Sequence, residues 1–376
     1  MYVGVVAGET SGDQLGAGLI RALQKRVPEA RFVGICGPNM QAVGATSLYP
    51  MDSISIMGVD GLLRNLIRII RIRRRLLRYF LSDPPDIFIG IDVPDFNLGL
   101  ERRLKRASIK TVHYVSPTVW AWRSYRIRKI RRSVSHMLTL FPFEEEFYKR
   151  HNVPVTFVGH PIADEIDNMD ESNDCRSALG LPPDGSVVAL LPGSRLSELH
   201  RHTELFANTA AWILERNPNV RFVAALVDQP MQSYFRSFLQ AQGMELPIYL
   251  VVGRAREAMA ASDTVLLASG TAALEAALLN KPMVVTYKVS KITYLLVRLF
   301  AHVKHFSMPN NLLENPIVPE FIQDSANPES LGKAVEEYLL DKTKVNQLQQ
   351  QFAQIRSLLQ RNANERAAGA VMSLMR

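Results

Sequence analysis

Short apolar runs recur along the chain, each closed by a glycine or polar turn and most followed by a helix-length segment. Tyr2–Ala7, Arg31–Cys36, Asp86–Ile91, Lys110–Val115, Ser135–Leu140 and Val155–Val158 form a first series. Ser186–Leu191, Val220–Leu226, Ile248–Val252, Thr264–Ala268 and Met283–Tyr287 form a second. Runs that are apolar on both faces, alternating with helical segments, predict parallel strands joined by crossover helices. The expected fold class is α/β, with two Rossmann-like, doubly wound parallel-sheet domains and a cleft between them. The polar, acidic ADEIDNMDESND and the turn-rich LGLPPDG, within Ile162–Gly185, read as the linker region. The domain boundaries expected are 1–165, 166–345, and a C-terminal helical tail over 346–376 that packs back on the first domain.

The second series contains the most telling unit. Asp263–Tyr287 reads strand, Ser269-Gly270-Thr271 turn, Ala/Leu helix, strand. Such a turn lets backbone approach a ligand at a helix start, where free N–H groups and the dipole favour an anion. Glu275 sits one helical turn past Thr271 in an otherwise apolar run, and a carboxylate there needs a partner. Ribose hydroxyls of a nucleotide are one partner; a neighbouring arginine is the other. Gly193-Ser194-Arg195 repeats the logic after its own strand and adds a guanidinium suited to a diphosphate.

In the first series, Gly8-Glu9-Thr10-Ser11-Gly12-Asp13 follows the first strand and offers hydroxyls and a helix start to a phosphate or sugar. A simple capped turn fits the spacing equally well, and neither a dinucleotide fingerprint nor a Walker loop is present. Asp92 ends another strand, where a carboxylate can serve as general base; Asp95 is the nearby competitor, and either can merely cap the next helix. His113–Arg123, HYVSPTVWAWR, gathers His113, Trp120 and Arg123 after a strand, suited to sugar stacking or phosphate, or to a core corner.

One helical pattern differs from the rest. Leu62–Leu81 carries seven arginines and no acid. Arg64, Arg68, Arg71 and Arg75 lie on one stripe, and Leu62, Leu66, Ile69, Ile70, Leu76, Leu77 and Phe80 lie opposite. That many charges exclude a spanning helix and predict one lying in an anionic lipid surface. The competing expectation is an amphipathic helix packed on the sheet with its arginines in water. Ala276–Leu313, also free of acids and including TYLLVRLFAHVKHF, can extend the same basic, greasy surface.

Composition narrows the partners. The formal charge of +8 favours anions. Two cysteines give no disulfide framework, and no export signal precedes the first strand, so a reducing compartment is expected. No metal-ligand spacing occurs, and no metal or cofactor is expected.

GETSGD, GIDVPDFN, HYVSPTVWAWR, LLPGSR, LLASGTAALEAAL and SMPNNLLE, in that order, resemble the lipid-A-disaccharide synthases over nearly the whole chain. That family is similar to the two-domain GT-B glycosyltransferases. The resemblance implies an acceptor domain first and a UDP-sugar domain second. It also implies transfer from UDP-2,3-diacylglucosamine to 2,3-diacylglucosamine 1-phosphate, inverting, without a metal. The β-1′,6-linked disaccharide 1-phosphate and UDP are the products. Asp92 falls on the family's proposed base, Glu9 on its cleft-facing loop with Ser11 and Asp13 beside it, and Arg195, Thr271 and Glu275 on its UDP-binding segments. Asn310 falls on its S-x-P-N motif, with Asn311 adjacent and the choice between them open. The partners implied are the two acyl-sugars and an anionic inner-membrane surface reached from the cytoplasm, with no nucleic acid; a homodimer stays open. The alternative is a soluble GT-B enzyme such as a UDP-N-acetylglucosamine 2-epimerase, which has no need of Leu62–Leu81.

Overall fold

The computed structural model describes residues 1–54, 62–120, 124–166, 172–290, 294 and 305–375. It divides into two compact units, Met1–Asp164 with Leu359–Arg376, and Glu165–Leu358. Arg123 and nearly all of TYLLVRLFAHVKHF lie outside the described residues, as do the side chains of Leu62 and Arg64.

In the first unit seven parallel strands form one sheet: β1 (Tyr2–Ala7), β2 (Arg31–Ile35), β3 (Thr46–Ser47), β4 (Ile87–Ile91), β5 (Lys110–Tyr114), β6 (His136–Thr139) and β7 (Val155–Phe157). Their order is β3-β2-β1-β4-β5-β6-β7, with Val5 beside Gly34 on one side and Ile89 on the other. Every residue of β4 is buried, as a central strand covered on both faces requires. The last helix, Ala363–Met375, returns to this unit and puts Ala367, Ala368 and Val371 into the same core as Leu19, Ile20 and Leu23 of helix Thr10–Arg26.

Helix Leu62–Ser82 settles between its two expectations by face. Ile69, Ile72, Leu76 and Phe80 are buried with Phe88, Phe96 and Leu100, and the Phe80 and Phe88 rings meet edge-on at 5.6 Å. Ile69, Leu76 and Phe80 are therefore core residues, not lipid-facing ones: at 69, 72, 76 and 80 they form the helical stripe that the sheet needs covered. Ile70 and Leu77 are half-buried, whereas Leu66 (51%) and Ile67 (55%) are exposed beside exposed Arg68, Arg71 and Arg75.

The second unit repeats the plan with β8 (Val187–Leu191), β9 (Arg221–Leu226), β10 (Ile248–Val252), β11 (Thr264–Ala268), β12 (Met283–Tyr287) and β13 (Glu320–Ile322). All pair in parallel, in the order β10-β9-β8-β11-β12-β13. The acidic stretch read as linker is partly helical, Ser172–Ala178, because Arg176 anchors it. That buried guanidinium donates to Asp263 and to the carbonyls of Ala261, Pro183 and Gly185. Helix Lys342–Leu359 stays with this unit, where Gln349 donates to the Asn280 carbonyl, so the return to the first unit begins at Leu359 and not at 346.

Candidate functional site

In each sheet the strand order reverses direction once, between β1 and β4 and between β8 and β11. Ligands of open α/β sheets bind outside the carboxyl ends of strands at such a switch point. Gly8–Asp13 follows β1 and Asp92 follows β4, so two of the first unit's three candidate stretches flank its switch point. They touch there: a Cβ on Gly8 would lie 2.7 Å from Val93 Cγ2.

Asp92 is half-buried and its amide donates to the Tyr114 carbonyl at 2.9 Å. Asp92 and Val93 are both left-handed, at φ 52° and 43°, which lifts the carboxylate off the strand before helix Pro94–Arg106 begins. Asp95 is engaged elsewhere, 2.9 Å from Arg126 and with its carbonyl bonded by Arg73. Glu9 and Ser11 are exposed at the start of helix Thr10–Arg26.

Two expected site residues turn inward instead. Asp13 is buried, and its carboxylate accepts from the Asn39 amide (2.8 Å), Asn39 Nδ2 (2.9 Å) and the Met40 amide (3.1 Å). It caps helix Pro38–Ala42 from a distance, a structural task that the sequence spacing concealed. His113 is fully buried and pairs through Nδ1 with Glu101 at 2.7 Å, because it lies within β5, at the penultimate residue, and not past the strand's end. Trp120 is half-buried. Its Nε1 donates to Glu144 and its ring meets Phe143 at 4.6 Å. Burial pushes Glu144 up to about 8 against the pull of its hydrogen bonds.

At the second switch point, Gly193–Arg195 follows β8 and Ser269–Thr271 follows β11. The amides of Ser194 and Arg195 are not open as expected: both donate to Glu198 Oε2, at 3.0 and 3.3 Å. Glu198 is the third residue of helix Leu196–Arg216, where a carboxylate reaches back as half of a capping box. That spacing was readable in R-L-S-E. The Arg195 side chain itself is exposed.

Ser269 Oγ donates to the Phe306 carbonyl, while Gly270 and Thr271 stand exposed at the start of helix Thr271–Leu278. Glu275 has the arginine partner that was one of its two expectations: Arg256 Nε lies 3.0 Å from Oε2, and Arg256 also stands 3.7 Å from Glu165. Arg256 had no sequence signal.

Asn310 is buried and fully spent on its own loop. Its Nδ2 donates to the Val318 carbonyl and Glu320, and its Oδ1 accepts from the amides of Ile317 and Val318. The residue expected to contact nucleotide staples this loop, with donors and acceptor of its amide all engaged. Asn311 is half-buried and donates to the carbonyls of His305 and Ser307.

His202, which the sequence offered only as a histidine without acidic companions at metal-ligand spacing, joins Pro192, just ahead of the Gly193–Arg195 turn, to Lys288, just past β12. Its ring hydrogen-bonds the Pro192 carbonyl through Nδ1 and accepts from the Lys288 amide through Nε2, which fixes the proton on Nδ1. Burial lowers its pKa. Among the described residues no three His, Cys, Asp or Glu side chains gather as a metal site.

The sequence model of the lipid-A-disaccharide synthetase family matches residues 3–373. The chain belongs to that family. It is 51% identical over 375 residues to a lipid-A-disaccharide synthase of Alkalilimnicola ehrlichii, covering 99% of this chain and 98% of that one. Against the synthase of Methylobacillus flagellatus it is 44% identical, with 100% and 99% covered. Among solved structures, a UDP-GlcNAc 2-epimerase from Neisseria meningitidis bound to UDP-GlcNAc superposes with a TM-score of 0.68 at 12% identity, covering 100% of this chain and 99% of that one. A UDP-N-acetylglucosamine 2-epimerase from Listeria monocytogenes, described as putative, gives 0.66 at 14%, covering 100% and 95%. At such identity the epimerases share the fold alone, whereas the synthetase family covers every motif described above.

Proposed function

We infer that this chain is a hexosyltransferase that joins the diacylglucosamine of UDP-2,3-diacylglucosamine to the 6-hydroxyl of 2,3-diacylglucosamine 1-phosphate. Full-length membership of the lipid-A-disaccharide synthetase family carries this reading. In the proposed mechanism Asp92 takes the proton from the 6-hydroxyl as its oxygen attacks the sugar's anomeric carbon. The bond from that carbon to the β-phosphate oxygen breaks on the opposite face, and UDP leaves with inversion. Asp92 is supported by its place at the end of β4 and by the engagement of Asp95 with Arg126.

Charge developing on the departing diphosphate falls to the exposed Arg195 guanidinium and to the helix start at Thr271, whose first-turn amides have no carbonyl within the helix. The amides beside Glu198 join them only when that carboxylate swings away. Glu275, steadied by Arg256, accepts from the ribose hydroxyls.

The decisive test is Asp92→Asn. It lowers kcat by about 10²–10⁴ and leaves UDP affinity unchanged; a variant with wild-type turnover removes Asp92 from the reaction. Full activity in excess EDTA is expected, since guanidinium and amides take the place of a cation.

Both substrates carry acyl chains, and peripheral attachment to an anionic membrane fits the exposed end of helix Leu62–Ser82. Leu66 and Ile67 supply apolar contact there, and Arg68, Arg71 and Arg75 supply charge. No helix among the described residues is long and apolar enough to cross a membrane.

A further inference from the structure

Behind Asp92 lies a polar stack closed to solvent. Asn97, Glu101 and His113 are each 0% exposed. Asn97 and Glu101 stand one turn apart on helix Pro94–Arg106, and His113 lies on β5 opposite Gly90 of β4. Asn97 Nδ2 donates to the Asp92 carbonyl at 2.8 Å and reaches those of Ile91 and Val6 at 3.4 Å. Glu101 Oε1 and His113 Nδ1 are 2.7 Å apart. Gly90 makes the room: a Cβ there would lie 2.2 Å from Glu101 Oε1 and 2.9 Å from Asn97 Cβ. Asn97 Oδ1, Glu101 Oε2 and His113 Nε2 have no hydrogen-bond partner among the described residues.

The elbow above this stack needs holding. Two successive left-handed residues, neither glycine and one β-branched, persist only where their surroundings over-determine them. Asn97 is the side chain that grips the elbow. Burying three polar groups to do so has a folding cost that apolar residues of similar size would avoid.

We propose that Asn97, Glu101 and His113 are positioning residues for the transfer reaction: Asn97 holds by hydrogen bond the elbow that carries the Asp92 carboxylate, and the Glu101–His113 pair packs beside it over Gly90 and keeps it in place. This rests on the reading of Asp92 as the base. Asn97 donates to the Asp92 carbonyl, so its Oδ1 is left as an acceptor. Burial pushes Glu101 above the ordinary carboxylate range, against the opposing pull of His113. Glu101 Oε1 shares the 2.7 Å hydrogen bond with His113 Nδ1. Asn97 thus grips the elbow directly, and the Glu101–His113 pair fills the space beside it above Gly90.

Steady-state kinetics with both acyl-sugar substrates, beside thermal melting, test this on Asn97→Leu, Asn97→Ser, Glu101→Leu and Glu101→Gln, with Asp92→Asn as reference. Asn97→Leu and Glu101→Leu are expected to lose about 10²-fold in kcat, the scale of an ångström-sized misplacement, with KM little changed. Asn97→Ser makes the same comparison if the leucine variant does not fold. Glu101→Gln, which keeps the size of the side chain and an oxygen or amide to bond His113 Nδ1, is expected to regain most of the loss seen in Glu101→Leu. Asn97 variants with wild-type kcat overturn the proposal. So does Glu101→Gln as slow as Glu101→Leu, or a loss seen only as a raised KM and a lower melting temperature. Wild-type kcat in Asp92→Asn would instead remove the base on which the inference rests; a slow Asp92→Asn beside normal Asn97 variants sinks the inference alone.

Discussion

At the scale of single residues, sequence reasoning separated strand ends from strand middles less well than it separated strands from helices. Asp92 and His113 both belong to strand-and-turn stretches, yet one ends its strand and the other sits inside it, where the ring can only face the core. Asp13 and Asn310 both have structural partners that the sequence did not announce: Asn39 and Met40, a helix away, for one, and Val318 and Glu320, at the far side of the same loop, for the other. Glu275 keeps a nucleotide role in our reading beside its arginine. Glu275→Ala is expected to weaken UDP by about 1–3 kcal/mol through lost charge-assisted hydrogen bonds, measured by calorimetry; unchanged affinity would leave the Arg256 pair as its whole purpose.

His202 makes a second residue-scale prediction. Its pKa in the folded chain lies below the ordinary histidine value of 6.5. The unfolded chain therefore binds a proton that the folded one refuses, and stability is complete above about pH 6.5 and declines as pH falls below it. Unfolding of the second unit followed from pH 8 to 5 should show this decline, and His202→Gln should flatten it. Parallel slopes in the two proteins would contradict the assignment.

Elements were legible where they are long and doubly buried. The strands missed were β3 and β13, two and three residues long, too short to carry an apolar run. Helix Leu62–Ser82 was recognised as amphipathic, but its stripe could not say which apolar side chains meet the sheet. The burial pattern divides them and makes the test sharper. Leu66→Ser with Ile67→Ser should move the protein from anionic vesicles into solution while costing no more than about 0.5 kcal/mol of stability, the usual surface figure. Leu76→Ser should cost roughly 3–5 kcal/mol, as a large buried side chain lost to a polar one. Vesicle sedimentation and melting curves check both; a Leu66/Ile67 variant that stays bound removes that end of the helix from the membrane.

Over the whole molecule, two strand series predicted two sheets, and the switch points place each candidate loop. Because the residues proposed to hold UDP, Arg195, Thr271 and Glu275, lie in the second unit, saturation with UDP should raise only that unit's unfolding transition, by about 2.7 kcal/mol at a hundredfold excess over Kd; equal shifts in two resolved transitions would argue against that location. The route of the chain has a separate bearing on how the protein is made. Residues 1–164 leave the ribosome first, but Ala367, Ala368 and Val371 complete their core, and Asp164 receives the amides of Asn362 and Ala363. The unit begun first is thus finished last, after the whole of Glu165–Leu358 has emerged. Until then helix Thr10–Arg26 waits with part of its apolar face uncovered, a nascent surface for a chaperone to hold.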